Sequence, residues 1–128
     1  MRRLWIVLLV LYAAAIVYVS HQPLAEGIAP FPHADKLLHA CEFGVFLALA
    51  WLATGRRMGI AIVLALAFAL SDEIHQAFVP TRDASGLDLL ADAIGVAVAC
   101  GLLHAGMPLW RRFRGRILGQ ETRRKGAK

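Results

Sequence analysis

The chain has 128 residues, 59% of them hydrophobic, and a mean hydropathy of +0.59, which is too apolar for a soluble domain of this size. Its formal net charge is +5 and its isoelectric point is about 9.9, but the basic residues gather at the ends of apolar segments, where they set membrane topology and attract anionic lipid head groups. Nucleic acid is therefore not an expected partner, and the length leaves no room for a separate soluble enzyme domain.

Four apolar segments follow one another along the chain, each about as long as the 20 or so residues that cross the hydrocarbon core of a bilayer. We predict helices over residues 4–20, 37–54, 58–78 and 87–109, with a short turn at 55–57. The apolar run of the first helix continues past its small residues at 13–15, which favours an uncleaved anchor over a signal peptide.

Basic residues lie at alternate ends of these segments. Twelve of the 14 Lys and Arg fall in three groups, at 2–3, 56–57 and 111–128. Because positive flanks stay on the cytoplasmic side of a membrane, the pattern predicts an all-α integral membrane bundle of four transmembrane helices with both termini cytoplasmic. Eight of the nine acidic residues then lie at the outer ends of the helices.

The remaining parts of the chain are a tail and the outer loops. We predict one four-helix transmembrane domain over residues 1–110 and a basic cytoplasmic tail over 111–128. Residues 110–118 carry apolar side chains at i, i+3 and i+7, as an interfacial amphipathic helix does. The first outer loop, rich in proline, is either a solvated linker or a partial lid made of residues 21–23 and 31–33.

Polar residues recur at helical spacing near the outer ends of three helices. The sets that share a helix face are Asp35, His39 and Glu42; Asp72, His75 and Gln76; and Asp88, Asp92 and Gly95. A charged residue at the middle of a bilayer costs about 2.5 to 3.5 kcal/mol, so we expect these faces to meet inside the bundle. Gly95 would let a neighbouring helix approach closely.

This predicted cluster carries more negative than positive charge. Its six carboxylates face only two basic side chains, and the residues are Asp35, Glu42, Asp72, Glu73, Asp88 and Asp92 with Lys36 and Arg82. This excess of negative charge can be balanced in three ways. Several carboxylates stay protonated, or His39 and His75 are protonated, or a cation binds there. The alternative is a self-satisfied polar network that only holds the helices together. We further predict that Arg82 pairs with Glu73 or Asp88, and that Glu73 and His39 belong to one site.

The polar residues together resemble the pattern of VanZ-like membrane proteins. The residues that carry the resemblance are Ser20, Pro23, Asp35-Lys36-x-x-His39-x-x-Glu42-Phe43, Asp72-Glu73-x-x-Gln76, Arg82, Ser85, Asp88 and Gly95. The resemblance covers about residues 20–101, and Asp92 departs from it because the family commonly has Asn there. It implies a multi-pass protein of the bacterial cytoplasmic (inner) membrane, associated with resistance to the glycopeptide antibiotic teicoplanin.

The leading hypothesis is an envelope protein whose outward-facing polar pocket binds a lipid-linked or cell-wall component. The expected partners are membrane lipid and a lipid-linked cell-wall intermediate, and a homo-oligomer is possible. The predicted ligand-binding residues are Asp35, Lys36, His39, Glu42, Glu73, Gln76, Arg82, Ser85, Asp88 and Asp92.

Two alternatives stay open at this point. The first is a membrane-embedded enzyme acting on a lipid-linked substrate, with His39 or Glu73 as general base, Asp88 as the residue that orients it, and Lys36 and Arg82 binding an anionic head group. The second is a small proton- or cation-coupled transporter. A divalent metal is a possible cofactor, and the candidate ligands are His39, Glu42, His75 and Asp88.

Overall fold

The computed structural model consists of four α-helices. They are α1 (Arg2–Ser20), α2 (Ala34–Ala53), α3 (Met58–Gln76) and α4 (Gly86–Lys125). The structure describes residues 1–22, 33–80, 82 and 84–125, and within α4 it describes side chains as far as residue 106. The linker or lid predicted for the first outer loop falls largely on residues 23–32, outside the described residues.

Each helix is long and apolar enough to cross a membrane, with the span of α4 running from Gly86 to Gly106. Large apolar side chains such as Leu4, Val63 and Leu102 are exposed on the outside of the bundle, at 57%, 66% and 69%, where lipid rather than water would cover them. The predicted all-α bundle of four transmembrane helices is confirmed. Helix α4 continues into the predicted basic tail as far as Lys125, and the interfacial position of the tail stays a prediction.

The core of the bundle is built around α2, which packs against all three other helices. Phe43 and Leu47 are fully buried, and the ring of Phe46 stacks on Phe68 of α3 with centroids 4.7 Å apart. Ala61, Ala65 and Ala69 form a buried stripe at every fourth position of α3. Small residues at such positions let helix backbones approach closely in a membrane.

Helices α2 and α4 approach each other closely where Gly95 lies against Ala40. A Cβ atom added at Gly95 would lie 2.7 Å from the Cα of Ala40 and would overlap its carbonyl group. Gly44 of α2 faces the same crossing, because a Cβ there would lie 3.3 Å from the carbonyl oxygen of Gly95. The crossing holds the amino-terminal halves of both helices together, and these halves carry polar residues.

The opposite end of the bundle carries the basic residues. Gly55 and Arg56 both have positive φ angles, 74° and 69°, which turn the chain sharply from α2 into α3. The guanidinium of Arg56 lies 5.2 Å from the ring centroid of Trp51. Arg2 donates from Nε to the carbonyl of Ala53 at 3.1 Å, which satisfies a carbonyl at the end of α2.

Candidate functional site

Polar side chains are buried at one end of the bundle, which we call the polar end. It is formed by the carboxyl-terminal turns of α1 and α3 and the amino-terminal turns of α2 and α4. All buried polar residues of the described chain lie there, and they are Ser20, Asp72, Glu73, Gln76, Asp88 and Asp92. The antiparallel order of the helices brings these four segments together although the sequence separates them widely.

One group of contacts joins α1 to α3. Ser20 donates from Oγ to Asp72 Oδ2 at 2.9 Å, and Gln76 donates from Nε2 to the same oxygen at 2.8 Å. The amide of Gln76 also lies 3.3 Å from the hydroxyl of Ser20. Because all three side chains are buried, these hydrogen bonds replace the ones that the side chains would otherwise make to water. Asp72 Oδ1 remains without a partner among the described residues.

A second group joins α2 to α4 through Lys36. Its ammonium pairs with Asp88 of α4 and with the exposed Asp35 of α2, the latter at 2.9 Å. The amine is therefore already shared by two carboxylates. Lys36 is not free to balance the other acidic residues of the polar end.

Deeper in the same helices, His39 of α2 meets Asp92 of α4. His39 Nδ1 lies 3.1 Å from Asp92 Oδ1, and Asp92 is only 1% exposed. Glu73 of α3 lies beside this pair, so that one ligand atom from each of the three residues falls within 4.8 Å of the others. Glu73 and His39, 34 positions apart in sequence, are thus neighbours at the polar end.

Glu73 is held in place by the start of α4. Its Oε2 accepts a hydrogen bond from the backbone amide of Ser85 at 2.9 Å. The hydroxyl of Ser85 in turn accepts from the amide of Leu87 at 3.2 Å, as a residue that caps a helix does. Glu73 Oε1 and Asp92 Oδ2 are both buried and have no partner among the described residues.

An apolar groove of about 340 Å³ runs between the end of α3 and the start of α4, and we call it the Glu73 groove. Glu73 and Ser85 supply its polar groups. Ile74 and Phe78, which flank it, are exposed at 54% and 82% on the outside of the bundle. The groove is lined by Glu73, Ile74, Ala77, Phe78, Ala84, Ser85, Gly86 and Leu89.

Arg82 forms no ion pair with the described acidic residues of the polar end. Its guanidinium donates to the carbonyls of Val19 and Gln22, at 3.0 and 3.1 Å, at the carboxyl end of α1. The predicted pairing with Glu73 or Asp88 is therefore wrong. The physical reason is that a guanidinium has several N–H donors, and two of them reach the carbonyls of Val19, in the last turn of α1, and of Gln22, just beyond the helix.

Glu42 and His75, two of the residues predicted from spacing, lie apart from this cluster. Glu42 is half-buried and lines a separate groove of about 370 Å³ between α1 and α2, beside Tyr12 and Cys41. His75 Nε2 lies 3.4 Å from His21 Nδ1 in an exposed pair of imidazoles. Of the predicted metal ligands, the structure brings only His39 into the group with Glu73 and Asp92.

Spacing alone did not identify Ser20 as part of the polar end, because a single serine at the end of an apolar helix is ordinary. Its signal was its place in the family pattern. Two buried carboxylate oxygens without partners beside one histidine are also unusual, since buried polar atoms are almost always hydrogen-bonded.

The VanZ/LLP1 family model matches residues 4–110, which include all but the first two residues of the four candidate transmembrane spans and every described residue of the polar end. No curated protein and no solved structure matches the chain.

Proposed function

This chain belongs to the VanZ/LLP1 family, and we propose that it binds a lipid-linked component of the bacterial cell envelope at the polar end of its membrane bundle. The observation that carries the proposal is the Glu73 groove. It joins an apolar surface exposed on the outside of the bundle to a buried carboxylate with one unpartnered oxygen. A molecule with a hydrocarbon chain and a polar head group fits both parts of this surface.

The walls of the groove suit the hydrocarbon part of such a ligand. Phe78 and Ile74 expose large apolar surfaces beside it, and burial of apolar surface contributes about 25 cal/mol per Å². In a bilayer this gain is small, since lipid chains already surround these residues. Specificity would therefore come from the polar groups of Glu73 and Ser85, which meet the head group.

The distribution of polar groups supports binding over transport. A proton or cation relay needs polar groups along the path across the membrane. In the described part of the chain, the buried polar side chains lie at the polar end, and the remaining depth of the bundle is filled by residues such as Leu47, Ala50 and Ala65. We propose that a ligand held at this end alters what a teicoplanin-type glycopeptide reaches in the envelope.

Filling the groove tests this proposal. Ala77 lines the groove and is exposed, so Ala77→Phe should displace the hydrocarbon part of the ligand without disturbing the core. We expect native mass spectrometry of the detergent-purified protein to detect a bound polyprenyl-linked or other sugar-bearing lipid on the wild type, and at least about tenfold less on Ala77→Phe. In cells, the same change should reduce any teicoplanin resistance that the wild type confers.

The matched control is Ala15→Phe, which makes the same substitution at an exposed position of α1 outside the groove. It should retain the lipid as the wild type does. Retention of ordinary phospholipids alone, or equal lipid occupancy in the two variants, would contradict the proposal.

A further inference from the structure

We propose that His39, Glu73 and Asp92 form a binding site for one divalent transition-metal ion of the zinc or manganese kind. The three residues come from α2, α3 and α4, and the site lies at the centre of the polar end. The metal site does not depend on the proposed lipid binding, because its donors are already assembled by the packing of the helices.

The first argument is the geometry of the donors. One ligand atom from each residue lies within 4.8 Å of the other two. Nitrogen and oxygen ligands bind zinc at about 2.0 to 2.2 Å, so two donors on one ion lie at most about 4.4 Å apart. Shifts of less than about 1 Å would thus bring all three residues onto a common ion, and side-chain torsions supply such shifts.

The second argument is the unused bonding capacity of the carboxylates. Glu73 Oε1 and Asp92 Oδ2 are buried and have no partner among the described residues, although Glu73 and Asp92 are only 6% and 1% exposed. Buried polar atoms without partners are uncommon in proteins. The other oxygens of both carboxylates are fixed by Ser85 and His39, so the side chains are held in position for a ligand.

The third argument is the charge balance. Lys36 is shared between Asp35 and Asp88, and Arg82 donates to two backbone carbonyls at and just beyond the end of α1. Neither basic side chain forms an ion pair with Glu73 or Asp92. A divalent cation would balance these two carboxylates at a depth where water does not screen them.

The donor set also selects the kind of metal. Imidazole nitrogen suits zinc, manganese and related transition metals, whereas magnesium and calcium prefer sites made of oxygen alone. Three protein ligands leave a coordination position open, as in catalytic rather than structural zinc sites. A consequence that does rest on the proposed function is that the ion would present a positive charge to an anionic head group in the Glu73 groove.

Metal analysis of the detergent-purified full chain, prepared without a histidine tag, tests the site. After dialysis against zinc or manganese and removal of free ion, we expect about one ion per chain by elemental mass spectrometry. Glu73→Gln and Asp92→Asn should each weaken binding at least about tenfold, because even outer-shell partners of a metal contribute that much. Size-exclusion chromatography and circular dichroism establish that each variant is folded.

The exposed His21 and His75 pair is the competing zinc site in this chain, and His75→Gln is the matched control, expected to leave the tight site intact. X-ray absorption spectroscopy of the zinc-loaded wild type distinguishes the two sites without any variant, because it counts the imidazole ligands of the ion. For the proposed site we expect one imidazole and otherwise oxygen ligands. Two imidazoles, loss of binding in His75→Gln, or no retained ion in the wild type would overturn the proposal.

Discussion

Replacing Gly95 with Leu is expected to separate α2 from α4 and to destabilise the whole bundle. A Cβ at this position would overlap the carbonyl of Ala40. Because that carbonyl belongs to the backbone, no change of side-chain rotamer can relieve the overlap. Overpacking of a well-packed core typically costs about 1 to 3 kcal/mol and occasionally more, and we expect Gly95→Leu to reach the upper part of this range. Thermal unfolding followed by circular dichroism in detergent measures the effect.

Gly101→Leu is the control for this change. It introduces the same side chain on the same helix, but a Cβ at Gly101 meets no atom within 4 Å. Since leucine favours a helix over glycine by up to about 1 kcal/mol, this variant should unfold at the wild-type temperature or slightly above it. Equal unfolding temperatures for the two variants would mean that the helices do not cross as closely as the structure places them.

Replacing His39 with Leu is expected to be the most damaging change at the polar end. Asp92 is 1% exposed, and the one side-chain hydrogen-bond partner it has among the described residues is His39, whose Nδ1 lies 3.1 Å from Asp92 Oδ1. Removing the partner of a buried hydrogen-bonding group leaves that group unsatisfied, which costs about 1 to 3 kcal/mol and more when the group is charged. We expect a loss of stability of this size, measured as the free energy of unfolding in a denaturant titration.

The double variant His39→Leu/Asp92→Leu should recover most of that loss, because it leaves neither polar group unpaired. His75→Leu makes the same substitution in the exposed imidazole pair and should change stability by no more than about 0.5 kcal/mol. If the loss of stability in the double variant equals the sum of the losses in His39→Leu and Asp92→Leu within about 0.5 kcal/mol, the two residues are not coupled. That result would contradict the contact between them that joins α2 to α4.

The sequence predicted the four spans well because hydrophobic runs of this length have few alternatives to membrane helices. The start of α3 at Met58 follows directly from the short basic turn before it. The start of α2 was placed at 37, three residues after Ala34 where the helix begins. The apolar run alone begins at Leu37, although helical spacing already puts Asp35 on one helix face with His39 and Glu42. In the structure Asp35 and Lys36 lie in the first turn of α2, where Lys36 pairs with Asp35 and with Asp88.

The polar end was harder to predict, because helical spacing gives the face of a residue and not its neighbour. His39 and Glu42 lie about 60° apart around α2, and this angle suffices to point one at α4 and the other into the groove beside α1. Arg82 shows a second reason. Charge favoured the carboxylates as its partners, but the carbonyls at the end of α1 satisfy its donors instead.

The orientation of the bundle remains a prediction from the distribution of basic residues, and the envelope function depends on it. A lipid-linked ligand on the outer leaflet meets the polar end only if that end faces the cell exterior. Ala84 lies at this end, between α3 and α4, and is exposed. A cysteine introduced there, in a chain whose Cys41 and Cys100 are replaced, shows directly which side of the membrane the polar end faces.

The decisive measurement is labelling of Ala84→Cys with a membrane-impermeant maleimide in intact spheroplasts, together with a cytoplasm-dependent reporter fused after Lys128. We expect Ala84→Cys to be labelled without lysis and the reporter to be active, because positive flanks remain cytoplasmic. Labelling of Ala84→Cys only after lysis, with an inactive reporter, would place the polar end inside the cell and contradict the outward-facing site.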